Sequence, residues 1–350
     1  MATQIIAEAG VNHNGDLSIA KQMVDCAVSA GVDVIKFQTF ISEKLASPSA
    51  TLAPYQKQAG VHEDSQLEML KKLALSQEQF AELMEYCVRR GIVFMSSPFD
   101  QESAHFLNQL GVSQIKLGSG EITDLPLLRT VASFQKPIIL STGMSTIEEI
   151  TDALNALITA GARKTNITLL HCCSAYPTPV NEVNLSAMLQ LKELFGTQVG
   201  YSDHTLGYDI SVAAVACGAQ VIEKHFTLDR SMPGPDQKIS LDPDDLAAMV
   251  ESIRHVESAL GDGIKRVTDS ERNNRLLSRK SLVTATTISK GDTFSSENLT
   301  VKRPGSGVSP MRWDHIIGLK AMRDYQADEQ IDNKELPNHR YRHSKNTSLT

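Results

Sequence analysis

From the N-terminus to about residue 260 the chain alternates short β-type runs with amphipathic helical stretches. The β-type runs are Ile5–Glu8, Val34–Gln38, Val93–Ser96, Gln114–Leu117, Ile138–Ser141, Thr168–Cys172, Val199–Tyr201 and Val221–His225. Helical spacing is clearest in Ser18–Ala30, Gln77–Arg90, Ile147–Ala160, Leu185–Phe195 and Ile210–Cys217, and Pro243–Leu260 follows the last strand. Gly31, Gly91, Gly111, Gly161 and Gly218 each follow a helical stretch directly, where glycine supplies a left-handed stop before the next strand. Repetition of this unit predicts an α/β fold, a (β/α)₈ barrel of the TIM type. A doubly wound sheet is the alternative, but it uses fewer strands and one dominant glycine-rich nucleotide turn, and no such turn is present.

After the barrel, expected over 1–262, the texture changes. Residues 263–279 are charged and read as a linker or linker helix. Residues 280–337 carry short β-type pieces, Ser281–Ala285 and Asn298–Lys302, broken by the turns Lys290-Gly291-Asp292 and Pro304-Gly305-Ser306-Gly307. A small β-rich domain of this size lies near the lower limit for independent stability. Residues 338–350 are polar and basic, and a disordered tail is expected there.

Charge and cysteine usage narrow the function classes. A net charge of −7 disfavours a nucleic-acid binder, which needs a basic face. It leaves room for an anionic substrate met by a local cationic cluster. No apolar run is long enough to cross a bilayer, and strand-like sequence at Gln4–Glu8 leaves no room for a signal peptide. The cysteines Cys26, Cys87, Cys172, Cys173 and Cys217 are scattered without metal-finger spacing. Reduced thiols in a cytoplasmic protein are therefore expected.

Barrel chemistry sits at the C-terminal strand ends, and polar residues gather there along the whole chain. Ser202-Asp203-His204 and Glu223-Lys224-His225 end successive strands. As a pair, His204 and His225 could bind a divalent transition metal and leave open positions for water and substrate; singly, each histidine reads better as a satisfied hydrogen-bonding residue. Lys36 and Lys116 fall on inward-facing parity. Each needs an anionic partner, either a carboxylate such as Glu8 or Glu121 or a bound anion. A Schiff-base role for one lysine also stays open. The turns Gly118-Ser119-Gly120-Glu121 and Ser141-Thr142-Gly143-Met144-Ser145 suit a phosphate. Glu8 and Glu121 are candidate acid–base groups. Asn12, His13, Asn14, Gln38, Tyr176 and Asp236 could meet a sugar, although Asn12-His13-Asn14-Gly15 also reads as an ordinary turn. Leu67, Leu70 and Leu73, at helical spacing, are expected in the core rather than in a site.

These residues, in order, resemble a known family, the sialic acid synthases. The resemblance is carried by Ala7-Glu8-Ala9-Gly10 with Asn12-His13-Asn14-Gly15, Val34-Ile35-Lys36-Phe37-Gln38-Thr39, and Ser96-Ser97-Pro98-Phe99-Asp100. It continues through Lys116 to Glu121, Leu140 to Met144, Tyr176-Pro177-Thr178-Pro179, Tyr201 to His204, Glu223 to Thr227 and Gly234-Pro235-Asp236. Lys302-Arg303-Pro304-Gly305-Ser306-Gly307-Val308-Ser309-Pro310 is similar to the signature of the antifreeze-like SAF domain. The family includes N-acetylneuraminate synthases and their legionaminic and pseudaminic relatives.

The resemblance implies a synthase, a transferase in type. It would condense phosphoenolpyruvate with an N-acylated amino sugar, either N-acetylmannosamine or a 2,4-diacetamido-6-deoxy hexose, giving a sialic-type acid and phosphate by C–O cleavage. It implies a domain-swapped homodimer in which each SAF domain covers the partner's site. His204 and His225 would hold Mn²⁺ or Mg²⁺. Lys36, Ser97, Lys116, Ser119, Ser141, Ser174 and Ser202 would surround phosphoenolpyruvate. Glu8, Gln38, Glu121, Tyr176 and Asp236 would face the sugar, with Arg303 reaching it from the other subunit. Ser97 stands where many members carry Thr, and the stretch Cys172 to Tyr176 departs from the family pattern at Ser174 and Ala175. The two rival readings are a metal-free Schiff-base aldolase using Lys36 or Lys116, and a non-enzymatic sugar- or ice-binding protein.

Overall fold

The computed structural model describes residues 2–58, 61 and 63–336. The chain divides into two compact units, 1–262 and 263–350. The first carries eight parallel strands: β1 (Gln4–Gly10), β2 (Val34–Thr39), β3 (Val93–Pro98), β4 (Ile115–Leu117), β5 (Ile138–Ser141), β6 (Ile167–His171), β7 (Gln198–Asp203) and β8 (Val221–His225). They hydrogen-bond in the order β3-β2-β1-β8-β7-β6-β5-β4. β3 and β4 lie side by side and bring the ends of the sheet together. This is the expected (β/α)₈ barrel.

The glycine stops do what their positions predict. Gly31, Gly91 and Gly111 end helices in the left-handed region, at φ of 75°, 74° and 91°. Helix starts are equally local in cause. Asp16 caps Leu17–Ala30 through its side chain, and Ser76 with Gln79 forms a capping box at Gln77–Arg90.

Strand alternation sorts the side chains into two cores. Ile5, Ala7, Ile35, Phe37, Phe94 and Tyr201 face outward into a large cluster shared with the surrounding helices. Ile6, Val34, Met95, Ile139, Leu170 and Val221 face inward and form an apolar plug inside the barrel. Two residues further along five of those strands, on the same face, stand Glu8, Lys36, Ser97, Ser141 and Glu223. The plug is therefore the floor of the polar site.

Between β2 and β3 the chain makes an excursion through Ser42–Leu45, Pro54–Gln58 and Gln66–Leu73. Its apolar residues build a satellite cluster of Phe40, Ala46, Leu52, Met69, Leu70 and Leu73 with Val11.

The second unit begins with a helix, Glu271–Ser278, within the stretch expected as a linker. Its antiparallel pair is β9 (Ser281–Thr284) with β10 (Leu299–Lys302). Leu282, Ile288, Phe294, Leu299, Val308, Ile316, Tyr325 and Ile331 form its core, and Tyr325 Oη donates to Glu335 Oε1 at 2.8 Å. The tail expected at 338–350 lies outside the described residues. Among the described residues, no helix is long and apolar enough to cross a membrane.

Candidate active site

A cavity of about 550 Å³ opens at the C-terminal end of the barrel. The site residues that the family resemblance implies all line it except Arg303: Glu8, Lys36, Gln38, Ser97, Lys116, Ser119, Glu121, Ser141, Ser174, Tyr176, Ser202, His204, His225 and Asp236; Asn12, His13 and Asn14, also offered as sugar contacts, do not. Arg303 belongs to the second unit, where its Nε donates to Ser278 O at 3.0 Å. A second cavity of about 440 Å³ lies at the N-terminal end and is lined by Gln4, Gln114, Thr168 and Gln198 among others, with no ionisable side chain.

The floor of the first cavity is a buried charge network. Lys36 Nζ lies 2.8 Å from Glu8 Oε2 and 3.6 Å from Glu223 Oε2. Lys116 Nζ lies 3.6 Å from Glu223 Oε1, which also accepts from Ser202 Oγ at 2.9 Å. Gln38 Nε2 donates to Glu8 Oε1 at 3.1 Å, and Lys36 Nζ donates to Ser97 Oγ at 3.3 Å. Of the carboxylate partners expected for the lysines, Glu8 is confirmed for Lys36. Lys116 corrects the expectation, because its partner is Glu223 and not Glu121. Glu223 was read from the sequence only as a neighbour of His225. The signal that finds it is parity, since Val221, Glu223 and His225 share the inward face of β8.

Burial pushes the Glu8 carboxyl up to about 7, with Lys36 opposing and the like charge of Glu223 adding to the rise. Burial also raises Glu121. Glu223 behaves oppositely: against the cost of burial, Lys116 and Lys36 hold it down at about 2. Two lysines thus converge on Glu223, while burial weakens the charge of Glu8 beside them, and a lysine pair of this kind suits an anion.

On the β4–β6 side the cavity offers a small-residue cradle. Gly143 N donates to Ser119 Oγ at 3.0 Å. A Cβ on Gly143 would meet Ser174 Oγ at 2.3 Å, Ser119 Oγ at 2.8 Å and Cys172 Sγ at 3.0 Å. Ser141 Oγ is buried there without a hydrogen-bond partner. Hydroxyls crowded around a glycine, one of them unsatisfied, are what a phosphate oxygen would complete.

On the β7–β8 side stand the two histidines, with ring centroids 5.5 Å apart. The Tyr176 ring lies 4.3 Å from His204 and 6.2 Å from His225. His204 Nδ1 donates to Cys173 O at 2.8 Å, which leaves the Nε2 lone pair free to ligate. His225 Nδ1 is buried with no hydrogen-bond partner, and Asp236 Oδ2 at 3.8 Å is too far to provide one. Burial lowers both imidazoles below their ordinary range, in His225 well below it with His204 and Lys36 contributing. Neutral imidazoles with an unclaimed nitrogen fit a divalent cation. Among the described residues no group of three or more His, Cys, Asp or Glu is arranged to hold a metal ion.

The remaining wall is apolar. Val11, Met69, Leu70, Leu73 and Phe99 line the cavity beside Ala53, Pro54 and Gln56. Leu70 and Leu73 thus do double duty, packing in the satellite cluster and overhanging the cavity, where core packing alone was expected. Asn12 turns away: its Nδ2 donates to Phe226 O and Ser240 Oγ at 2.8 and 2.9 Å, tying the loop that carries Asp236. Asn14 Nδ2 likewise donates to Pro233 O at 2.8 Å.

Comparison with known proteins places these features in context. The model of the NeuB family matches residues 23–265, and that of the SAF domain matches 279–337. The chain is 51% identical over 329 residues to N,N'-diacetyllegionaminic acid synthase of Campylobacter jejuni, covering 94% of this chain and 98% of that one. It is 44% identical to the enzyme of the same name from Legionella pneumophila, over 93% of this chain and 92% of that one. Among solved structures, N-acetylneuraminic acid synthetase of Leptospira borgpetersenii, in complex with citrate, matches with a TM-score of 0.70 and 34% identity, covering 78% of this chain and 90% of that one.

Proposed function

The chain belongs to the NeuB family, and from that premise we propose that it condenses phosphoenolpyruvate with an N-acylated amino sugar and water to give a sialic-type acid and phosphate. The observation that carries this reading is the arrangement at the barrel mouth. A Lys36–Glu223–Lys116 floor and a hydroxyl cradle stand opposite two neutral imidazoles, across a cavity large enough for both reactants.

In this reading Lys36, Lys116, Ser119 and Ser141 hold the phosphate and carboxylate of phosphoenolpyruvate. Its C3 carbon bonds to the aldehyde carbon of the open-chain sugar. Water then adds at C2, and the C2–O bond to phosphate breaks. Glu8 takes the proton from that water: its carboxyl, raised to about 7, is poised between its two forms at neutral pH. A divalent ion, Mn²⁺ or Mg²⁺, held by His204 and His225, would supply Lewis-acid polarisation of the aldehyde oxygen. Glu121, Gln38, Tyr176 and Asp236 orient the sugar. The chain works as a cytoplasmic enzyme, as a homodimer in which Arg303 reaches the partner's cavity.

For the acceptor we favour the 2,4-diacetamido-6-deoxy hexose over N-acetylmannosamine. The apolar wall of Val11, Met69, Leu70, Leu73 and Phe99 suits the extra acetamido methyl and the 6-methyl group. The names of the two relatives identical at 51% and 44% support the same choice. An apolar wall discriminates one such group by about 10- to 200-fold. Phosphate release measured with each sugar in turn decides the point, and equal kcat/KM would remove the preference. Reaction in ¹⁸O-water tests the cleavage: label belongs in the keto acid, and label in the released phosphate would refute the route.

The Schiff-base alternative is disfavoured by the ion pairs of both lysines. Although burial alone would lower Lys36, Glu223 and Glu8 hold it above its ordinary value, whereas a Schiff-base lysine needs a depressed pKa.

A further inference from the structure

Behind the two histidines, on the outer face of the sheet, lies an ion pair that touches neither the cavity nor solvent. Asp203 and Lys224 are opposed in the β7–β8 ladder, next to Ser202 and Glu223. Alternation sends Ser202 and Glu223 into the barrel and Asp203 and Lys224 out of it. Lys224 Nζ lies 3.0 Å from Asp203 Oδ2, and both side chains are 0% exposed.

The pair is tied into a buried network of hydrogen bonds. Asp203 Oδ1 accepts from Thr205 N at 2.9 Å and Thr205 Oγ1 at 2.8 Å, and Asp203 Oδ2 accepts from Ser211 Oγ at 2.7 Å. Lys224 Nζ donates to Thr205 O at 2.6 Å. The network therefore grips the chain on both sides of His204, at residues 203 and 205. Through Lys224 it also grips the residue immediately before His225. A buried pair of charges is a poor device for stability, because desolvation offsets the attraction. It is a good device for fixing one geometry, since few other arrangements satisfy every donor and acceptor.

The two imidazoles depend on this grip unequally. His204 has a second restraint, its Nδ1 bond to Cys173 O. His225 Nδ1 has none, so the placement of its ring follows the backbone that Lys224 anchors.

We infer that Asp203 and Lys224 are positioning residues: their buried pair sets the separation of His204 and His225 and thereby the affinity of the site for a divalent cation. The inference rests on the two-histidine metal site of the proposed function.

The test is Mn²⁺ binding to the full chain without substrates, followed by the electron paramagnetic resonance signal of free Mn²⁺, with thermal unfolding of the metal-free protein in parallel. Lys224→Met should weaken Mn²⁺ binding by about 10-fold or more, the scale of outer-shell changes at metal sites. The double variant Asp203→Leu/Lys224→Met removes both charges, so its unfolding temperature should stay nearer to wild type than that of either single change, while Mn²⁺ binding stays weak. Ser211→Ala deletes one bond to Asp203 and leaves the buried ion pair intact, and should fold normally and bind Mn²⁺ about 3-fold more weakly. A folded double variant with wild-type Mn²⁺ affinity overturns the inference. Should that variant fail to fold, wild-type affinity in Ser211→Ala overturns it. Wild-type protein that takes up no Mn²⁺ removes the metal site itself, and this outcome is distinct from either of the others.

Discussion

Lys36 reaches past β1 to place its Nζ 3.6 Å from Glu223 Oε2, a carboxylate on the far side of that strand. Glu223 is thus the shared counter-charge of two lysines on β2 and β4, and the site cannot lose it without leaving both ammonium groups under-compensated.

Glu223→Gln is therefore expected to destabilise the free protein by about 3 kcal/mol or more, the usual cost of breaking a buried pair from one side. A bound anion should restore part of this loss. Thermal unfolding with and without inorganic phosphate checks it: phosphate should raise the unfolding temperature of the variant more than that of the wild type, and an equal rise would contradict the account.

Glu8 and Glu223 make opposite contributions to the pH dependence of stability. Glu8, raised from 4.5 to about 7, binds its proton more tightly in the folded state, so its contribution is complete below pH 4.5 and is lost as pH rises through 7. Glu223, lowered from 4.5 to about 2, contributes above pH 4.5 and loses that contribution as pH falls through 2. Urea unfolding between pH 4 and 8 should show stability falling toward pH 7 in the wild type and a flatter profile in Glu8→Gln. The kcat/KM of the wild type should rise with pH through the same interval, and Glu8→Gln should lose that limb.

Gly143 has room for no side chain. Gly143→Ala drives a methyl group into Ser174, Ser119 and Cys172 and should displace a phosphate by about an ångström, a shift that costs on the order of 100-fold in kcat/KM. The variant should fold, since the clash is confined to two hydroxyls and one thiol. Steady-state kinetics varying phosphoenolpyruvate, with circular dichroism as the control for folding, make the measurement.

A domain-swapped dimer, as proposed above, predicts complementation between two inactive chains. Arg303→Ala and His204→Ala, mixed and refolded together, should regain roughly a quarter of wild-type activity, because half the dimers carry one site free of both changes. No recovery from two chains that are each inactive alone would count against Arg303 acting across the subunit boundary, and full activity of Arg303→Ala alone would remove it from the site.

Most of the barrel was legible in the sequence because each signal is local: a glycine after a helix, an alternating strand, a polar residue at its end. Inward parity placed Lys36 and Lys116 in the barrel, and the need of a buried lysine for a counter-charge pointed to Glu8. The ion-pair partner of Lys116 was not legible, since the approach of β4 and β8 side chains depends on how the strands stagger around the closed sheet. Leu70 and Leu73 pack in a core cluster as their spacing predicts, and their second place at the cavity was hidden for a related reason. Helical spacing marks a buried face, and the excursion between β2 and β3 uses that face to pack a small cluster and to wall the cavity at once. Arg303 carries no local sign of its destination, because its position over any cavity is a matter of how units and subunits meet.

The apolar plug of Ile6, Val34, Met95, Ile139, Leu170 and Val221 also decides how an anion meets this protein. It is a slab of low polarisability beneath two ammonium groups, so their field leaves through the mouth and is blocked toward the opposite end. A chain of net charge −7 repels phosphoenolpyruvate from most directions of approach. The plug leaves one attractive channel through that repulsion, and productive encounters are collected along the barrel axis.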